Sequence, residues 1–451
     1  MKNIVDMTKG NALKHILKFA IPLLVVNIGQ QLYTVVDAII VGRGVGVDAL
    51  AAVGSTDWIY WFTAWSLIAF ASGLSIFVAR YFGAKDYEKM NKVIATAITL
   101  SVILGLFFTI VGVLIIGQLL KLLNTPSNIY WQAKIYLITM TLGSLIVITN
   151  ALFSGIIRAF GNGKASLVSM IMSFIINVGL DLIFVLVFRW GVVGAAIASL
   201  IAQLVSTIYY LIVISKIDII KLDRSCWKID WRLAGEMIRF ATPIALQMSI
   251  IACGGIFLQG AVNLQGGNFI AGYSATNKVY GLIETGASAF GIASTTYFSQ
   301  NYGAKLFDKV KLGVRTSVKI MVISSVTVFV LMSLFGGLIL QLFIDINEAG
   351  GDEAIEYAKR YLRIMCLFLT IRYLNNVYRS ILESMGISFW SMMSGVLECA
   401  SRIIMAKIFV FHIGTDALFI SEPLAWLCAL LILALPYYFY YRKRLLASEN
   451  L

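Results

Sequence analysis

Twelve long apolar runs, separated by short polar segments, dominate this sequence. Each run is long enough to cross ~30 Å of hydrocarbon as a helix that rises ~1.5 Å per residue. A membrane β-strand would instead alternate apolar and polar residues over about ten positions, and no such alternation occurs here. The sequence therefore predicts an all-α integral membrane protein with twelve transmembrane helices. The predicted spans cover residues 14–41, 50–80, 92–119, 130–156, 165–188, 191–215, 237–263, 269–300, 311–343, 358–382, 388–411 and 417–441.

Composition and charge agree with a membrane location. Hydrophobic residues make up 59% of the 451 residues and charged residues 13%, whereas soluble domains are roughly 25% charged. The net charge of +13 comes from basic residues in alternate loops, which is the positive-inside pattern. We therefore expect the inner (plasma) membrane, both termini in the cytoplasm, and no nucleic-acid partner. The basic groups are Arg80, Lys85, Lys89 and Lys92; Lys216, Lys221, Arg224, Lys228 and Arg232; Lys305, Lys309, Lys311 and Arg315; and Arg442, Lys443 and Arg444, while the loop with Glu348, Asp352, Glu353 and Glu356 is acidic.

The chain contains an internal repeat. Residues 16–22 (ILKFAIP) return as 237–243 (MIRFATP), and YFGAK at 81–85 returns as NYGAK at 301–305. Asn150 and Gly161 are likewise matched by Asn375 and Gly386, so the offset is 220 to 225 residues throughout. Because six helices return in the same order, we predict two six-helix lobes related by a pseudo-two-fold axis along the membrane normal. The predicted divisions are an N-terminal lobe at 1–215, a cytoplasmic linker at 216–232 and a C-terminal lobe at 233–451.

Metal, redox and nucleotide chemistry have little support in the sequence. The five cysteines form no CxxC pair, and four of them lie in apolar runs, where a thiol behaves as a small hydrophobe. GNGK at 161–164 lacks the spacing of a phosphate-binding loop. We therefore expect no enzyme activity, no cofactor, no nucleotide and no resident metal, and an ion gradient as the energy source.

Four polar side chains of the first half share one predicted depth. Asp37, Asp181 and Ser199 lie ~9–12 Å below the outer ends of their predicted helices, with Asn177 one turn from Asp181. Ionisable groups in the membrane are costly and usually functional. Hard oxygen ligands suit a small cation, and paired carboxylates in a low dielectric can also take up a proton. The alternative is a structural hydrogen-bond network that joins helices 1, 5 and 6.

The second half carries a different set of charges. Glu284, Arg372, Glu398 and Arg402 fall within predicted spans, and Glu398 and Arg402 form an i, i+4 pair. Arg372 and Glu398 share mid-bilayer depth, so we predict that they pair across helices or else face substrate. The isolated amides Asn150, Gln247 and Gln259 are typical of side chains that hydrogen-bond between membrane helices. The candidate substrate-cavity residues are Asn150, Gln247, Arg372, Glu398 and Arg402.

Several segments of the chain form a recognisable set: VVDAIIVGR (35–43), the YFGAK/NYGAK pair, NALFSGIIRAFGNGKAS (150–166), INVGLDLIFV (176–185) and WGVVGAAIAS (190–199). Together they resemble the multidrug and toxic compound extrusion (MATE) family over essentially the whole chain. The resemblance implies a V-shaped, two-lobed exporter that exchanges organic, often cationic, compounds for Na⁺ or H⁺. It also assigns a first-lobe cation site to Asp37, Asn177, Asp181 and Ser199, with the carbonyl of Ala195 as a further ligand and Pro22 as a hinge.

One departure separates this chain from part of that family. A MATE branch has a glutamate on helix 7 and an aspartate on helix 10, where this sequence has Ile251 and then Arg372, Asn375 and Asn376. The resemblance is closer to the DinF-like branch, which relies on the first lobe. We expect a monomeric antiporter that binds small organic molecules. The alternatives are a lipid-linked oligosaccharide flippase, which would line its cavity with cationic residues, and a non-transporting membrane receptor, which would leave Asp37 and Asp181 without a purpose.

Overall fold

The computed structural model describes residues 4–122, 125–344 and 350–441. Within these ranges it contains fifteen α-helices and no β-strand. The acidic Glu348 and the basic group at 442–444 lie outside the described residues. The helices are α1 (Ala12–Gly44), α2 (Val47–Gly83), α3 (Tyr87–Leu122), α4 (Ser127–Leu142), α5 (Ser144–Ala159), α6 (Gly163–Asp181), α7 (Gly191–Ser215), α8 (Trp231–Val262), α9 (Gly267–Gly303), α10 (Phe307–Leu340), α11 (Gly351–Leu367), α12 (Leu369–Ser384), α13 (Phe389–Ile404), α14 (Val410–Ile413) and α15 (Asp416–Pro436).

The twelve predicted spans correspond to these helices, which confirms the all-α membrane fold. The fourth span is the bent pair α4 and α5, and the tenth consists of α11 and α12. Three spans contain a π-helical turn, at Leu182–Val187, Met405–Phe409 and Tyr437–Tyr441. Among the described helices, eight are long and apolar enough to cross a membrane by themselves, and α4 with α5, bent by 47°, makes a ninth. The remaining spans, α9, α11 with α12, and α13, carry Glu284, Arg372, Glu398 and Arg402.

The internal repeat reappears in the backbone. Lys85 and Lys305, which end the YFGAK and NYGAK segments, both adopt left-handed conformations with φ of 58° and 59°. A left-handed residue after a helix turns the chain and lets its N–H bond a carbonyl of the last turn. Gly161 and Gly386 also have positive φ, at 70° and 87°. Because these turns occur at equivalent places, the two halves follow the same local path.

The chain divides into two compact units. One contains Met1–Lys9 and Ile21–Ala245, and the other contains Gly10–Ala20 and Leu246–Leu451. The change of unit therefore falls inside α1, next to Pro22, and inside α8, two residues beyond Pro243. The predicted lobe boundaries at 215 and 233 stay a prediction.

In the first unit, close packing fixes the helices that carry the predicted cation site. A Cβ at Gly194 would lie 3.1 Å from the Phe184 backbone, so only glycine lets α7 approach the π-turn after α6 this closely. Asn150 of α5 donates to the Gln203 carbonyl and to the Ser206 hydroxyl of α7, at 3.2 and 2.9 Å. These contacts hold α5, the π-turn and α7 in a fixed register. Asn150, predicted as a cavity residue, thus joins two helices.

Candidate cation site

The predicted cation-site residues come from three helices of the first unit. Asp37 lies on α1, Asn177 and Asp181 lie near the C-terminal end of α6, and Ser199 lies on α7. Asp181 directly precedes the π-turn Leu182–Val187. Such turns interrupt the regular hydrogen-bond ladder and often mark functional positions. Asn177 and Asp181 are one turn apart on the same face, which is why the sequence spacing brings them together.

The structure brings all four side chains into one cluster. The Ser199 hydroxyl accepts hydrogen bonds from Tyr33 Oη at 2.7 Å and from Asn177 Nδ2 at 3.4 Å. The carboxyl groups of Asp37 and Asp181 lie within hydrogen-bonding reach of each other, and the Asn177 amide lies beside Asp181. The geometry predicted from equal helix depth is therefore present, although geometry by itself assigns no coupling role.

Four oxygen atoms of this cluster are buried without a hydrogen-bond donor from the described part of the chain. They are both carboxylate oxygens of Asp181, one of Asp37 and the amide oxygen of Asn177. Asn177 and Asp181 are fully buried, and Asp37 is half-buried. A buried acceptor without a partner costs about 1–3 kcal/mol, and more when it is charged. A convergent set of oxygens with no donor among them fits a small cation or a shared proton.

Two further predicted residues lie on the helices that carry this cluster. Ala195 is buried one turn before Ser199 on α7, and its role as a carbonyl ligand stays a prediction. Pro22 lies inside α1, fifteen residues before Asp37. Tyr33 was missed by the sequence reasoning. Its signal was available, because Tyr33 and Asp37 are four residues apart and share a helix face.

Arg372 does not pair with Glu398, so that prediction is wrong. Its partner is Glu284 of α9, with Nη2 2.9 Å from Oε1 and Nε 3.3 Å from Oε2. Shared depth could not identify the partner because the rotation of each helix decides which way a side chain points. Glu398 instead lies between Arg379, at 3.4 Å, and Arg402, at 3.6 Å, so the predicted i, i+4 contact is present.

Arg402 has a stronger partner that the sequence did not identify. It makes two parallel bonds to Glu422 of α15, both at 2.9 Å, and Nη1 donates to the Ile251 carbonyl at 3.3 Å. Gln247 is fully buried and donates to Ser394 at 3.1 Å. Each charged side chain predicted for a substrate cavity thus has an oppositely charged partner inside the second unit.

Comparison with known proteins is consistent with this architecture. A family model described as MatE matches residues 22–183 and 243–408. Probable multidrug resistance protein YoeA of Bacillus subtilis is 27% identical over 338 residues, which is 73% of each chain. Multidrug export protein MepA of Staphylococcus aureus is 22% identical over 436 residues, covering 95% of this chain and 94% of MepA.

A solved structure with the description "Crystal structure of MATE in complex with MaL6" superimposes over 100% of both chains, with a TM-score of 0.90 and 22% identity. This similarity shows the fold, and the two segments matched by the family model, one in each half, show the family. The chain therefore belongs to the MATE family of multidrug efflux transporters, which are membrane transporters and not enzymes.

Proposed function

We propose that this protein is an antiporter that exports small organic compounds in exchange for H⁺ or Na⁺ bound at the first-unit cluster. The observation that carries the proposal is the set of buried oxygens without a donor on Asp37, Asn177 and Asp181. Two neighbouring carboxylates in a low-dielectric setting are stable only when a cation or a proton neutralises them. No basic side chain within the described ranges pairs with Asp37 or Asp181. An exchangeable ion would neutralise these carboxylates instead.

Exchange requires that the ion and the organic compound favour different conformations. A ligand shifts an equilibrium only by its difference in affinity for the two states, and the coupling between two ligands is reciprocal. The cluster joins α1, α6 and α7, so an ion bound there changes how tightly these helices hold together. We propose that occupancy selects between inward-open and outward-open states, with Pro22 of α1 as the hinge.

The orientation forms part of the proposal. Basic residues follow α2, α7 and α9, and the positive-inside rule places such loops in the cytoplasm. Both termini then lie in the cytoplasm of a plasma-membrane protein. We further propose that the protein acts as a monomer, because each chain contains a complete cluster.

The decisive variant is Asp37→Asn, which keeps the shape of the side chain but removes its charge. It should reach the normal folded yield and lose gradient-driven efflux of ethidium in proteoliposomes. Asp181→Asn and Asn177→Ala should behave similarly, and Ser199→Ala more mildly. Ser206→Ala is the matched control, since it removes a buried α7 hydroxyl that bonds Asn150 outside the cluster. Imposing Na⁺ and H⁺ gradients separately identifies the ion. Wild-type efflux by Asp37→Asn at normal yield would exclude this site.

A further inference from the structure

Equivalent side-chain contacts align the two halves of the chain residue by residue. Asn150 donates to the Gln203 carbonyl at 3.2 Å, and its repeat partner Asn375 donates to the Trp426 carbonyl at 3.0 Å. Gln203 on α7 therefore corresponds to Trp426 on α15, an offset of 426 − 203 = 223 residues. This register rests on matching bonds and not on sequence similarity, which is weak in these two helices.

A second set of matches aligns α6 with α13. Both helices follow a glycine of positive φ, Gly161 in one half and Gly386 in the other. Buried serines lie five and eight residues after each glycine. The serine pairs are Ser166 with Ser391 and Ser169 with Ser394. The offset here is 386 − 161 = 225 residues.

These two registers place the Arg402–Glu422 ion pair at the position of the first-unit cluster. Asn177 is the sixteenth residue after its glycine turn, and so is Arg402. Ser199 lies four residues before Gln203, as Glu422 lies four before Trp426. The contact of Asn177 with Ser199 in one half thus corresponds to the contact of Arg402 with Glu422 in the other.

The electrostatics of the two positions are opposite. Among the residues that the structure describes, the first-unit cluster has carboxylates and no positive side chain, whereas the second-unit position has a guanidinium held by two carboxylates. The Arg402 side chain is 8% exposed and the Glu398 side chain 1%. Arg402 bonds Glu422 through two nitrogens and the Ile251 carbonyl through a third. Guanidinium here contacts carboxylate and carbonyl oxygens, the same ligand types that hold a small cation.

We propose that Arg402 is a tethered cation that permanently fills the second-unit counterpart of the exchangeable-ion site. This inference rests on the proposed function only in that the first-unit cluster binds an exchangeable ion. It has two consequences. Each chain has one coupling site, and shortening Arg402 exposes a latent cation site between Glu422, Glu398 and the Ile251 carbonyl.

The test uses the full-length protein in detergent, with Arg402→Asn introduced into an Asp37→Asn/Asp181→Asn background that has lost the first-unit carboxylates. Thermal unfolding is followed in NaCl and in N-methyl-D-glucamine chloride of equal ionic strength at one alkaline pH. For each variant, the Tm in N-methyl-D-glucamine chloride is subtracted from the Tm in NaCl. The readout is the increase in this difference when Arg402→Asn is added to the background. We expect a gain of several degrees, because a ligand that binds only the folded state stabilises it. The further variant Glu422→Gln should abolish the gain.

A complementary arm covers the case in which Arg402→Asn folds poorly. Arg402→Ala leaves more space, and low concentrations of guanidinium chloride should restore its folded yield, whereas N-methyl-D-glucamine should not. The proposal would be overturned if the loss of Tm or folded yield were equal in all cations. It would also be overturned if acid alone restored the folded yield, since either result is expected of an ordinary structural ion pair. If Na⁺ still raises the Tm of the background variant, that result counts against the first-unit site and not against the role of Arg402. The proposed function and the present inference can therefore fail independently.

Discussion

The Glu284–Arg372 pair offers the sharpest test of the charge arrangement in the second unit. With an effective dielectric of about 20, two unit charges 2.9 Å apart attract by about 6 kcal/mol before desolvation is subtracted. Removal of one partner strands the other charge, which costs about 3–5 kcal/mol for buried pairs. The side chains are 18% and 22% exposed, so we take the lower value. At about 2–4 °C per kcal/mol for a unit of roughly 200 residues, Arg372→Gln should lower Tm by about 6–12 °C.

The assay is thermal unfolding of purified variants, with charge reversals to identify the partner. Arg372→Glu with Glu284→Arg should recover most of the lost Tm. Arg372→Glu with Glu398→Arg should not, because Glu398 already contacts Arg379 and Arg402. Arg360→Gln is the control, since it breaks an exposed pair with Asp416 and should cost at most about 1 kcal/mol. Recovery by the Glu398 exchange alone would refute the pairing described here.

Two further predictions concern Pro22 and Glu353. Pro22→Ala restores a helix hydrogen bond, so it should raise Tm and reduce efflux. Pro243→Ala is the matched control and should raise Tm without loss of efflux. An equal loss of efflux in both variants would contradict a special role of Pro22. Hydrogen bonds from Asn268 and Tyr357 hold the pKa of Glu353 below its ordinary value. This stabilisation is present above the unfolded-state pKa and disappears as pH falls through the lower folded-state pKa. The Tm of Asn268→Ala should therefore fall less steeply on acidification than the Tm of the wild type. Identical profiles of Tm against pH would contradict this prediction.

The positions of the membrane spans could be predicted because hydrocarbon selects apolar residues directly. The ends of the helices could not. Residues 92–119 were predicted for the third span, whereas α3 runs from Tyr87 to Leu122. A helix continues beyond the lipid as long as its backbone hydrogen bonds are satisfied. Because polar residues occur in those extra turns, hydropathy does not show where the helix ends. The break at Gly143 in the fourth span was also missed. A side chain at this glycine would clash with Leu200 of α7, a contact between distant parts of the chain that the local sequence does not reveal.

The clustering of Asp37, Asn177, Asp181 and Ser199 could be predicted because few polar groups occur in the apolar first half, and the spans limit their depth. Depth is one coordinate, however, and pairing needs the rotation of each helix as well. In the first unit, an i, i+4 spacing on α6 supplied that rotation for Asn177 and Asp181. In the second unit, charges on α9, α12, α13 and α15 allow several pairings at similar depth. Arg372 with Glu398 was a reasonable choice among them, and only the contacts identify Glu284.

The two units show why an internal repeat predicts a scaffold better than it predicts chemistry. Turn residues and the amide of Asn150 or Asn375 bond to backbone, so both halves need them wherever the same path is followed. A charge within the membrane has only to be neutralised, and an ion from solution or an arginine from the chain can do this equally well. In the proposals made above, an ion from solution neutralises the first-unit cluster and leaves a site that responds to a gradient, whereas Arg402 neutralises the second-unit position and leaves one that does not. On these proposals, one duplicated scaffold holds a coupling half and a fixed half.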